Sequence, residues 1–74
     1  MKIKIDLESD ALYFRISHAP IVESEEVGSG LIVDYDASGK LVGIEILNLM
    51  EKFKLEDLTD LKFDMPISLK AAEA

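Results

Sequence analysis

The chain contains no cysteine, which removes disulfide cross-links and thiolate metal sites together. It has a single histidine, His18, so no site built from several imidazoles can form. It also lacks a run of about 20 apolar residues able to span a bilayer. Met1 to Asp6 alternate polar and apolar side chains, unlike the continuous apolar core of a secretory signal. The expected location is the cytoplasm. Basic residues are scarce, eight against fifteen acidic ones, for a formal net charge of −7. Phosphate-backbone binding rewards clustered Lys and Arg, so no direct nucleic-acid partner is expected, and no membrane. Gly28-Ser29-Gly30 precedes neither a helix nor a Lys-Ser/Thr pair and is no phosphate loop. No internal repeat or low-complexity tract occurs.

What remains is a small, acidic, strand-rich chain. Its 74 residues make one domain, and a domain this small buries only about 60% of its unfolded surface. Unusually good packing or a second subunit is therefore needed. The centre is Gly30 to Leu47, two apolar runs around a polar knot. Leu31, Val33 and Tyr35 alternate with Ile32 and Asp34, and Val42, Ile44 and Ile46 alternate with Gly43 and Glu45. That is strand periodicity. Asp36 to Gly39 supplies the polar opening and the glycine of a short hairpin loop. Ile32, Leu41 and Leu47 fall opposite the other apolar positions, which predicts strands covered on both faces.

Lys2 to Leu7 and Ala11 to Ser17 read as an N-terminal hairpin about Glu8-Ser9-Asp10. Leu12, Phe14 and Ile16 share one face, with Tyr13 and Arg15 on the other. Pro20 ends this pair, since proline donates no hydrogen bond and restricts the residue before it. Ile21 to Val27 is a short extended segment carrying Glu23, Glu25 and Glu26, which suits a charged edge strand. Those carboxylates also form a candidate docking surface for a basic protein. Tyr13 and Tyr35 are the candidate interface aromatics.

After Leu47 the apolar period changes. Asn48 is a candidate helix cap, and Leu49, Met50 and Phe53 take helical spacing that would set them against the sheet. Leu55, Leu58 and Leu61 form a second turn, as one helix or as two broken near Lys54. Leu61 to Met65 alternates again as a candidate last strand before Pro66. The expected fold is α+β, an antiparallel β-meander of four to five strands with a C-terminal helix packed on one face. Residues 1–67 form the domain and 68–74 a frayed tail.

One pattern has a specific chemical meaning. Asp34-x-Asp36-x-Ser38-Gly39, five more residues and then Glu45 follow the calcium loop of an EF-hand. Such a loop sits between helices, whereas its flanks here read as strands, and Val42 occupies a position where an oxygen donor is usual. The metal candidates are therefore Asp34, Asp36, Ser38 and Glu45, with a solvated acidic turn the preferred reading. No cofactor and no catalytic constellation emerge. Asp34 and Asp36 with His18 would do hydrolytic acid–base work only in a pocket that separates their pKa values.

The run Asp6-x-Glu8-x-Asp10 through Ile16, then Glu25-Glu26-Val27, Gly30 to Asp36, and Gly39 to Leu47 resembles the small prokaryotic domain-of-unknown-function family numbered 2283. The likeness covers roughly Lys2 to Leu49. Asp34, Tyr35, Asp36, Gly43 and Glu45 fit its pattern. The resemblance implies a compact α+β protein with no established enzymatic activity and no catalytic residue to carry over. It also implies, through some members, an antitoxin-like association with small basic proteins. The expected function is a non-enzymatic interaction module that forms homo-oligomers. A small hydrolase or a calcium-binding module is the alternative.

Overall fold

The computed structural model describes residues 1–66. The alternating segments form five strands: β1 (Lys2–Asp6), β2 (Ala11–Arg15), β3 (Glu23–Gly28), β4 (Leu31–Tyr35) and β5 (Leu41–Leu47). All pair antiparallel in one sheet of order β1-β2-β5-β4-β3. The order is not that of a simple meander. β3, β4 and β5 are sequential neighbours, but β2 pairs with β5, and the chain crosses from the middle of the sheet to its far edge between them. The crossing is Ile16 to Val22 and contains Pro20, which has no N–H to give to a strand ladder. Arg15 pins it by donating from Nε to the Ser17 carbonyl at 2.6 Å and from Nη2 to the Ala19 carbonyl at 2.9 Å. Val22 then donates to the Tyr35 carbonyl at 2.9 Å, leading the chain into β3.

The register sorts side chains by face. Ile3 and Ile5 stand opposite Phe14 and Leu12, which stand opposite Ile44 and Ile46, which in turn face Val33 and Leu31. These eight side chains form one apolar face. The other face carries Lys2, Lys4 and Asp6 on β1, Tyr13 and Arg15 on β2, Glu45 on β5, Asp34 on β4 and Ser24 and Glu26 on β3. The strands are thus not apolar on both sides. Ile32 and Leu47 lie half-buried within a polar face, and Leu41 is exposed. At β4–β5 a register shift leaves Val42 as an extra residue opposite the Asp34–Tyr35 step. Its carbonyl accepts from Ile16 and Ser17, and its side chain is fully buried.

The C-terminal part is two short helical turns, α1 (Leu49–Lys52) and α2 (Leu55–Leu58), with Phe53 and Lys54 extended between them. Asn48 does not cap α1 with its side chain. It sits at φ 54°, ψ 52°, a left-handed conformation that Asn tolerates. The first turn is tied instead to the distant β1–β2 turn, where Asp10 accepts from Leu49 N–H through its carbonyl and from Met50 N–H through Oδ1, both at 3.0 Å. Leu49 is fully buried, whereas Met50 and Phe53, expected against the sheet, are exposed. Leu61 to Met65 forms no strand. The tail expected over 68–74 lies outside the described residues. No described helix is long and apolar enough to cross a membrane.

Among the described residues only Val42 and Leu49 are apolar side chains sealed from solvent. The described residues form a slab of 40 × 33 × 18 Å.

Candidate functional site

The polar face is organised by a glycine. Gly43, on β5, lies between Arg15 of β2 and Asp34 of β4 in the register. A Cβ there would fall 2.9 Å from Tyr13 Cζ and closer still to Tyr13 Oη. The missing side chain lets the Tyr13 ring cross β5 and reach β4, a close approach that only glycine permits. The Tyr13 hydroxyl donates to Asp34 Oδ2 at 3.1 Å, and the Ser24 hydroxyl donates to Asp34 Oδ1 at 2.6 Å. Asp34 is 7% exposed, the one buried charged side chain among the described residues. Both its oxygens are satisfied, which a buried carboxylate requires. The network ties β2, β4 and β3 together across the face.

Asp36 is spent differently. Its Oδ1 accepts from Ser38 N–H at 2.9 Å, Ser38 Oγ at 2.7 Å and Lys40 N–H at 2.9 Å. Gly39 at φ 84° closes the loop. The Ser38 hydroxyl first, then the Lys40 and Ser38 backbone amides and the Lys40 charge, hold the Asp36 carboxyl below its ordinary value. Asp6 repeats the device in the β1–β2 turn. Ser9, through its side chain and its N–H, and then the Glu8 N–H hold that carboxyl below its ordinary value.

The expected calcium ligands are therefore scattered among separate tasks. Asp34 anchors the Tyr13–Ser24 network, Asp36 and Ser38 close the turn, and Glu45 stands on β5 opposite Tyr13. Among the described residues no group of three or more His, Asp or Glu is placed to hold a metal ion. His18 is exposed in the β2–β3 crossing. Of the expected interaction residues, the register puts Glu23, Glu25 and Tyr35 on the apolar face, with Glu23 opposite Tyr35 and Glu25 opposite Val33. Glu26 and Tyr13 belong to the polar face. The three glutamates share an edge but not a surface.

The second surface is the apolar face itself. Ile3 and Ile5 are exposed, and the β2, β4 and β5 members are half-buried. At its β1 corner a groove of about 390 Å³ is lined by Met1, Lys2, Ile3, Phe14, Leu61 and Phe63. Leu61 and Phe63 are 70% and 75% exposed, so they border the groove without sealing it. Sequence reasoning missed Ser24 and Asp10. Ser24 lies in no motif and Asp10 reads only as part of a turn and of the family-like run, and each acquires its role from a partner brought by strand pairing or by the chain's return. Gly43 inside a strand was the one legible sign of the Tyr13 crossing.

Residues 2–49 match the family model described as protein of unknown function (DUF2283), and the chain belongs to that family. No curated protein and no solved structure matches it.

Proposed function

We propose that this member of the DUF2283 family is a non-enzymatic protein-interaction module that self-associates by burying the apolar face of its sheet against a second copy. The carrying observation is the apolar surface built from Ile3, Ile5, Leu12, Phe14, Ile44, Ile46, Leu31 and Val33, which no described element seals. Monomeric proteins rarely leave a contiguous apolar patch larger than a few hundred Å² in water. The slab measures 40 × 33 Å across, room enough for the roughly 800 Å² per partner of a standard interface. Two such faces stacked about 10 Å apart make a β-sandwich whose core neither copy has alone. A two-fold arrangement satisfies both copies with one surface. Glu23 and Glu25 lie at the β3 margin of the face, where an interface rim stays wet.

The non-enzymatic half of the reading rests on the carboxylates. Asp34 and Asp36, the pair suited to acid–base work, serve a structural network and a turn. Sedimentation equilibrium across micromolar concentrations tests the association. The expected mass exceeds one chain, and Ile44→Lys, which places a charge at the middle of the face, halves it while circular dichroism keeps its strand signal. A single-chain mass throughout overturns the proposal.

A further inference from the structure

Among the described residues the sheet has two open edges, β1 and β3, and they differ in what they allow. β3 presents Glu23, Glu25 and Glu26, so two β3 edges brought together set like charges against one another, which destabilises a strand pair. β1, Lys2-Ile3-Lys4-Ile5-Asp6, is exposed along its whole length and, among the described residues, pairs only with β2. Its charges are of both signs and its apolar residues alternate with them.

We propose that β1 pairs antiparallel with β1 of a second copy, with the two-fold axis at Ile5, joining two five-stranded sheets into one of ten strands. Only registers that keep apolar opposite apolar are compatible with the faces the sheet already has. Among these, centring on Ile5 places Lys4 opposite Asp6 of the second copy, and Asp6 opposite its Lys4, with Ile5 against Ile5 on the apolar face. Beyond the strand, Ile3 comes opposite Leu7 of the second copy, and Leu7 is 60% exposed. Centring on Lys4 sets Lys4 against Lys4, and centring on Ile3 sets Lys2 against Lys4. The Ile5 register alone opposes no like charges. Lys4 and Asp6 of both copies then form a four-charge ring on the polar face, and the apolar face runs unbroken across the joint.

This joint runs along the backbone edge of β1 and borders the apolar face at Ile5, and its test does not depend on that face being buried. The chain has no cysteine, so Ile5→Cys introduces its only thiol. Directly opposed residues in an antiparallel pair have Cα atoms about 4.5–5.5 Å apart, within disulfide reach. Under mild oxidation Ile5→Cys is expected to give a covalent dimer. Ile3→Cys, on the same strand and face and similarly exposed at 38% against 36%, is expected to give little. Its two copies would lie four residues apart along the strand, roughly 13 Å. Adding Lys4→Glu, which leaves the Asp6 turn intact, opposes two carboxylates twice and is expected to lower dimer affinity about tenfold. Ile5→Cys in the Ile44→Lys background keeps its link, which separates this edge from the face. Equal linking by Ile3→Cys, no linking by Ile5→Cys, or indifference to Lys4→Glu overturns the proposal.

Discussion

Tyr13 and Asp34, 21 residues apart in sequence, meet over Gly43 by a 3.1 Å hydrogen bond from the phenol to Oδ2. The contact spans a strand that neither residue belongs to, because Gly43 contributes no side chain in between. It is one of two hydroxyl bonds that hold the single buried carboxylate among the described residues. The polar face is therefore a structural element in its own right, cross-linking β2, β3 and β4 on the side away from the apolar surface.

Tyr13→Phe keeps the ring and removes the donor. Asp34 Oδ2 is left short of a partner while its neighbour Oδ1 keeps Ser24. The expected loss is about 1–3 kcal/mol of unfolding free energy, the scale of an unsatisfied buried polar group. Urea denaturation at neutral pH reads it. A loss indistinguishable from zero would show that water replaces the phenol without cost.

Gly43→Ala tests the crossing directly. The added Cβ overlaps the Tyr13 phenol and lies 3.2 Å from the Phe14 carbonyl oxygen. The ring must leave its place, and a loss of about 1–3 kcal/mol follows from overpacking. Because the two residues touch, Gly43→Ala and Tyr13→Phe are expected to be non-additive in a double-mutant cycle. Simple additivity would mean that the ring does not depend on Gly43.

Asp10 joins the β1–β2 turn to α1 through its side chain and its carbonyl. It sits at φ 55°, so the substitutions must respect a left-handed backbone. Asp10→Asn keeps an acceptor for Met50 N–H and tolerates that φ, and is expected to be nearly neutral. Asp10→Gly accepts the φ but loses the acceptor, at about 1 kcal/mol, the net worth of a typical hydrogen bond. Thermal melts of the pair compare them, and equal losses would deny the side chain a role.

The Asp36 turn should respond to acid. The Ser38 hydroxyl, backbone amides and the Lys40 charge lower the folded carboxyl below its ordinary 3.8. The ionised group therefore adds stability that is present above that ordinary value and is lost as pH falls through the folded one. Ser38→Ala removes the largest of these influences and is expected to raise the Asp36 titration midpoint, read by carboxyl NMR. An unchanged midpoint would mean that the hydroxyl bond is not kept in solution.

Much of the fold was legible because strands announce themselves locally. The alternation in Lys2 to Asp6, Ala11 to Arg15 and Leu31 to Tyr35 needs only a period of two. The Asp36 to Gly39 loop carries its own turn chemistry, held by bonds within five residues. Other features depend on partners far away in sequence. Nothing local says that β2 will pair with β5, that Asp10 rather than Asn48 will hold the start of α1, or that Ser24 will find Asp34. The expectation of strands apolar on both faces failed at Ile32 and Leu47 for the same reason. Counting apolar residues along a strand does not reveal that a neighbouring strand will set a polar side chain beside them, as β5 sets Glu45 opposite Ile32.

The sequence by itself determined a strand-rich α+β chain without thiols, with its hairpin turns and the alternation that makes one side of each strand apolar. Those properties follow from backbone sterics and side-chain period, which act over a few residues. Tertiary structure alone decided the strand order, the bridging of Tyr13 over Gly43 to Asp34, and the gathering of eight apolar side chains onto one face. Those depend on which strands become neighbours, and long-range pairing is chosen by the energy of the whole sheet.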